Sequence, residues 1–182
     1  MEHGGTRVIH INYKSAQVDQ VYFPQIEVVG DIALSVDALA DALGSRLDLD
    51  LTEFEMVRDN VKDKIFRLAD ETTFPMRPQN IVAEIRNLMG YHDIIALDNG
   101  VYKIWFARNY LAYQPNTILP DNALATMGAG LPSAMLAAMI YPNRKVISIC
   151  GDGGFMMNSQ EIETAVRLNL NMVVLILNDS SY

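Results

Sequence analysis

The feature that most constrains this chain is a succession of short, branched apolar runs, each followed by turn residues and a helical stretch. Ile94-Ile95-Ala96-Leu97, Thr117-Ile118-Leu119, Lys145 to Cys150 and Met172 to Leu177 are the runs from Pro78 onward. The spacing predicts helices over Asn80–Met89, about Met127–Ile140 and about Ser159–Leu168 between and beside them. The last two runs are nearly continuous in Val, Ile and Leu, which predicts strands buried on both faces. The fold class expected is therefore α/β, a parallel sheet with helices on both faces.

The preceding residues differ in texture. Val8-Ile9-His10-Ile11 and Ile26-Glu27-Val28-Val29 are candidate strands, and Val36 to Leu43 is a candidate helix stopped by Gly44. Two strands cannot bury a sheet face by themselves, so residues 1–50 are expected to be the C-terminal end of a second, central α/β domain. Residues 51–77 form a helical linker: Phe54, Val57, Val61, Ile65 and Leu68 recur at helical spacing among charged residues. A packed interdomain connector is favoured over a partner-binding helix. Thr72 to Pro78 breaks the pattern, and residues 78–182 are expected to be the first part of a ligand-binding domain, truncated at Tyr182.

Composition narrows the function classes. A formal charge of −8 argues against nucleic acid and against an anionic membrane surface, either of which needs a basic face. The longest apolar run, Ala134 to Tyr141, falls far short of the roughly 20 residues that span a bilayer. No apolar block follows a basic start in the first twenty residues, and Cys150 is the single cysteine. A cytoplasmic protein is the expectation.

The chemistry is concentrated after the third of the later runs. Gly151-Asp152-Gly153-Gly154-Phe155 follows a buried strand, and Asn178 follows the next one. Open α/β sheets place ligands at the carboxyl ends of their strands. Glycines there let backbone approach a phosphate, and a following helix directs N–H groups at the anion. Asp152 would be a hard oxygen ligand for Mg²⁺, with the Asn178 amide oxygen beside it. The 24 residues between Gly153 and Asn178 suffice for one helix and one strand, which brings both side chains to one sheet edge. A glycine–aspartate turn alone recurs by chance; joined to the strand before it and the asparagine after it, it points to a site.

Gly151-Asp152-Gly153, 24 residues and then Asn178 resembles the diphosphate–Mg²⁺ motif of the thiamine-diphosphate-dependent enzymes. Thr126 to Pro132, Gly151 to Phe155, Glu161 to Arg167 and Asn178 to Tyr182 are similar to acetolactate synthase large chains. Ile104-Trp105-Phe106-Ala107-Arg108 resembles the branch with catabolic members, whereas Val101-Tyr102-Lys103 departs from the glutamine-histidine-glutamine run usual in the biosynthetic enzymes. The resemblance is specific over residues 78–182 and looser over 1–50.

The resemblance implies thiamine diphosphate and Mg²⁺ as cofactors and leaves FAD undecided. It implies Asp152, Asn178 and the Ser180 carbonyl as metal ligands, and Gly151, Gly153 and Gly154 as the loop whose N–H groups meet the diphosphate. It further implies Met127 beneath the bent cofactor, Asn99 and Gly100 bordering the diphosphate, and Tyr182 near the same pocket. No residue here is expected to act as a catalytic acid or base, because the family's activating glutamate lies on a pyrimidine-binding domain that no segment of this chain resembles. The implied reaction joins two pyruvates, or another small 2-oxo acid, as 2-acetolactate with loss of CO₂, in a homodimer or tetramer. Another decarboxylase or carboligase of the superfamily, or a non-catalytic Mg²⁺–diphosphate-binding fragment, is the alternative. Without the motif Met127 would read as core; Trp105 and Phe106 read as packing aromatics, Cys150 as a small buried hydrophobe, and Glu161 and Glu163 as helix-dipole partners. None of the three histidines has a partner pattern.

Overall fold

Strand β3 (Ile94–Leu97) is buried along its whole length, and its side chains alternate between two cores. Ile95 and Leu97 join Val82, Ile85 and Met89 of α3 (Pro78–Leu88, with Met89 capping it) and Phe106 of α4 (Tyr102–Asn109) on one face. Ile94 and Ala96 join Ala134, Ala137 and Ala138 of α5 (Gly130–Ile140) on the other. This two-residue period is what a strand covered by helices on both sides requires. The small side chains of α5 bring that helix close to the sheet.

A computed structural model describes residues 7–16, 24–44 and 49–179. By contacts the chain divides into two units, Met1–Glu53 and Phe54–Tyr182. In the second, a four-stranded sheet runs in the order β4-β3-β5-β6, with β4 Ile118–Pro120, β5 Val146–Gly151 and β6 Val173–Leu177, all parallel. The short helices α6 (Asp152–Asn158) and α7 (Glu161–Arg167) join β5 to β6, and Ala165 packs with Leu131 and Met135 of α5. Because β3 connects to β4 on one side while β5 and β6 extend the other, the chain reverses direction across the sheet between β3 and β5. Crevices at such a switch point, at the strands' carboxyl ends, are where open α/β sheets bind ligands.

The first unit holds a parallel pair, β1 (Ile9–Asn12) and β2 (Ile26–Val29), with Ile9 opposite Ile26. Helix α1 (Ile32–Leu43) starts at Asp31, whose carboxylate accepts the Leu34 N–H at 2.9 Å, and ends at Gly44 with φ +52°. No residue of α1 is buried.

Five sequence expectations need correction. Helix α2 spans Thr52–Phe66 and its expected inward stripe is open: Phe54, Val57 and Val61 are all about half exposed or more. Leu68 lies beyond the helix with φ +70°, which takes it out of the stripe. Helix α5 begins at Gly130 rather than Met127, because Gly128 at φ +89° breaks the helical path. Strand β6 is not buried on both faces, since it is the outer strand of the described sheet and leaves Val173 and Ile176 exposed. Helices α4 and α6 form where none was expected, and the Ser159–Leu168 helix is the shorter α7.

Phe106, at 1% exposure, fills the α3–α4 face against Ile95, Leu97 and Ile149. Phe106→Ala is expected to destabilise the second unit by about 3–5 kcal/mol. Urea unfolding followed by the fluorescence of Trp105, the single tryptophan, measures this directly.

Candidate active site at the strand ends

The parallel register settles where the predicted ligands fall. Gly151 of β5 pairs with Leu177 of β6, so Asp152 and Asn178 are the next residues along two adjacent strands at the same end of the sheet. Asp152 is half-buried and accepts the Gly153 N–H at 2.9 Å, a local bond that aims its carboxylate along the loop. Asn178 is exposed at the sheet edge and engaged in an interaction of its own. A carboxylate and an amide oxygen at one edge are the hard-oxygen chemistry that suits Mg²⁺, which takes few protein ligands and completes its shell with phosphate and water. No cluster of three or more His, Cys, Asp or Glu side chains able to hold a metal occurs among the described residues. Ser180 and Tyr182 lie outside the described residues.

The next strand over adds the rest. Gly151 and Gly100 both lie against the ring of Tyr102: a Cβ on Gly100 would stand 2.5 Å from it, and one on Gly151 3.2 Å. The Tyr102 hydroxyl is buried beside the Gly151 backbone without a hydrogen bond of good geometry. Burial pushes its phenol well above the ordinary tyrosine range, so it stays neutral. The Asn99 amide donates to the Thr126 carbonyl at 2.8 Å and accepts from Lys103 Nζ at 2.6 Å. Lys103 Nζ also donates to the Asp121 carbonyl. Asn99 thus borders the site but spends its side chain on the loop before α5. Met127, half-buried, lies on that loop at the same end of the sheet. Cys150 is fully buried, 3.2 Å from Ser148 Oγ, and burial raises its thiol pKa, which makes it inert packing.

One residue at this end escaped the sequence reading. Asp98, immediately after β3, has no exposed surface. Its carboxylate accepts the Gly128 N–H at 2.8 and 3.0 Å and the Asn99 N–H at 2.8 Å. Gly130 of α5 and Gly154 of α6 press against it: a Cβ on Gly130 would come within 2.6 Å of Asp98 Cβ, and one on Gly154 within 2.2 Å of Oδ2. The available signal was an acidic residue closing a fully apolar strand, directly before Asn99-Gly100.

Residues 98–182 match the family model described as "Thiamine pyrophosphate enzyme, C-terminal TPP binding domain". The chain is 34% identical over 182 residues to the catabolic acetolactate synthase of Raoultella terrigena, covering 98% of this chain and 33% of that protein. It is 33% identical over 184 residues to an acetolactate synthase of Bacillus subtilis, covering 98% and 32%. A "putative thiamine pyrophosphate-containing protein" of Bacillus subtilis is 37% identical over 111 residues, 61% of this chain and 19% of that protein. The chain therefore spans about a third of the length of the acetolactate synthases it matches. The family and the α/β, parallel-sheet class expected from the sequence agree with these matches.

Gly130→Ala separates two effects of opposite sign. As the first residue of α5, alanine would favour the helix by at most about 1 kcal/mol. Its Cβ would also stand 2.8 Å from the Asp98 backbone nitrogen, which cannot swing away. Overpacking of this kind costs about 1–3 kcal/mol, so net destabilisation is expected in urea unfolding.

Proposed function

We propose that this chain is the diphosphate-holding part of a thiamine-diphosphate-dependent carboligase of the acetolactate synthase type, which joins two pyruvates as 2-acetolactate and releases CO₂. The observation that carries the reading is the pairing of Gly151 with Leu177, which sets Asp152 and Asn178 side by side at the switch-point end of the sheet. Identity to acetolactate synthases along nearly the whole chain supports the same reading.

Asp152, the Asn178 side chain and the Ser180 carbonyl would hold Mg²⁺, and the Gly151–Gly154 backbone would lie against the diphosphate. A side chain at Gly151 would crowd the Tyr102 ring behind it, and one at Gly154 would collide with the Asp98 carboxylate. Met127 would supply shape, supporting the cofactor's rings, while Asn99 and Gly100 would border the anion and Tyr182 would lie near the same pocket. Thiamine diphosphate supplies the carbanion-stabilising chemistry when bound. The protein's part is to fix the cofactor's position, since proximity accounts for a large share of such barriers. The substrate would be pyruvate or another small 2-oxo acid, in a cytoplasmic homodimer or tetramer. No helix among the described residues is long and apolar enough to cross a membrane. The 37% identity to a relative named only for thiamine pyrophosphate favours a second reading, another decarboxylase or carboligase with this cofactor.

Calorimetric titration with thiamine diphosphate and Mg²⁺ tests the assignment. Asp152→Ala and Asn178→Ala are each expected to weaken binding by about tenfold or more, because each removes an oxygen from a cation that neutralises the diphosphate. Affinity equal to wild type in both variants would refute the site. The 182-residue chain alone is expected to form no acetolactate from pyruvate, because it offers no counterpart of the family's activating glutamate. Acetolactate made by this chain, and abolished by Asp152→Ala, would contradict that.

A further inference from the structure

The peptide groups on both sides of Met127 are gripped by side chains from three different elements. The Thr126 carbonyl accepts from Asn99 Nδ2 at 2.8 Å, and the Thr126 N–H donates to Asp121 Oδ2 at 3.0 Å. The Gly128 N–H donates to both oxygens of Asp98, and the Gly128 carbonyl accepts from Asn158 Nδ2 at 2.6 Å. Asp98 and Asn99 stand at the end of β3, and Asn158 ends α6. Gly128 itself has φ +89°, and a Cβ there would fall 2.8 Å from Asn158 Nδ2. Glycine adopts such a φ readily, whereas a side chain at this position would be strained.

We infer that Asp98 and Asn158 are positioning residues: together with Asn99 they clamp the Thr126–Gly128 peptide and thereby set where Met127 stands relative to a bound thiamine diphosphate. The inference rests on the reading that Met127 supports the cofactor's rings. Met127 is half-buried and flexible and Thr126 is exposed, so the position of the loop rests on these backbone contacts, with Asp121 holding the Thr126 N–H. Asp98 is suited to the task because it is rigid: its own backbone N–H is bonded to the Ile149 carbonyl of β5 at 2.9 Å, so the clamp is anchored in the sheet. The same carboxylate backs onto Gly154, which ties the Met127 loop to the diphosphate loop through one side chain. Of the two, Asp98 therefore bears on both loops, whereas the Asn158 amide donates to the Gly128 carbonyl of the Met127 loop and makes Asn158 the residue that tests the ring end by itself.

Amide hydrogen exchange on the 182-residue chain tests the clamp without cofactor. Exchange at Gly128 is expected to speed up by about tenfold in Asn158→Ala and in Asp98→Ala, with β3 and β5 amides unchanged. Asp98→Asn, which keeps an acceptor oxygen, is expected to restore most of the protection. Should Asp98→Ala not fold, Asn158→Ala and Asp98→Asn still decide the matter. Unchanged Gly128 exchange in Asn158→Ala would overturn the clamp. For positioning, Asn158→Ala is expected to weaken binding of thiamine diphosphate with Mg²⁺ by about tenfold while leaving inorganic pyrophosphate with Mg²⁺ within twofold of wild type. A parallel loss for both probes would overturn the positioning role. If wild type bound neither probe, the proposed function would fall, and the exchange result would still decide the clamp.

Discussion

A carboxylate with no exposed surface is the constraint around which this site is built. Burying a polar group is costly unless it is hydrogen-bonded, and Asp98 meets that demand with backbone N–H groups of Asn99 and Gly128. Those donors can reach it only if the surrounding backbone comes very close. Gly128 supplies one donor, and Gly130 at the start of α5 and Gly154 in α6 stand so close to Asp98 that a Cβ on either would collide with it. One buried side chain thus couples the end of β3, the loop before α5 and the first turn of α6.

The position of that carboxylate follows from the sheet. In β3, odd-numbered residues face α3 and α4 and even-numbered ones face α5, so residue 98 continues on the α5 side. There the chain has already turned toward β4 while β5 and β6 extend the opposite way, the switch point at which open α/β sheets bind ligands. The apolar packing below, from Phe106 on one face to the alanines of α5 on the other, keeps the strand ends in register. The site's geometry is therefore a consequence of strand order and of close helix packing, with few residues devoted to chemistry.

Much of this was legible in the sequence where periodicity was strong. Strands Ile26–Val29 and Ile94–Leu97 stand where their apolar runs placed them, and the glycine–aspartate turn does follow a buried strand. Helix α4 was hidden because Gly100 stands just before it and Tyr102, Trp105 and Phe106 read as packing aromatics. Helix α6 was hidden because two of its seven residues are glycines, poor helix formers held there by Asp98. The start of α5 depends on the positive φ of Gly128, which no spacing of apolar residues reveals. The open stripe of α2 shows the limit of amphipathic patterning: it marks which face could pack, not what packs on it. Asp98 was missed because a single acid after an apolar run is also what an ordinary strand end looks like, and only the three glycines around it in space set it apart.

The central claim is that a divalent cation and a diphosphate meet between the ends of β5 and β6. Mn²⁺ in place of Mg²⁺ tests it most directly, because a paramagnetic ion broadens the NMR signals of nearby amides. With thiamine diphosphate and Mn²⁺ added to the 182-residue chain, broadening is expected at Gly151 to Gly154 and at Leu177 to Asp179, and not at the opposite ends of the same strands near Val146 and Val173. Broadening centred elsewhere, or the same pattern with Mn²⁺ alone in Asp152→Ala, would contradict it.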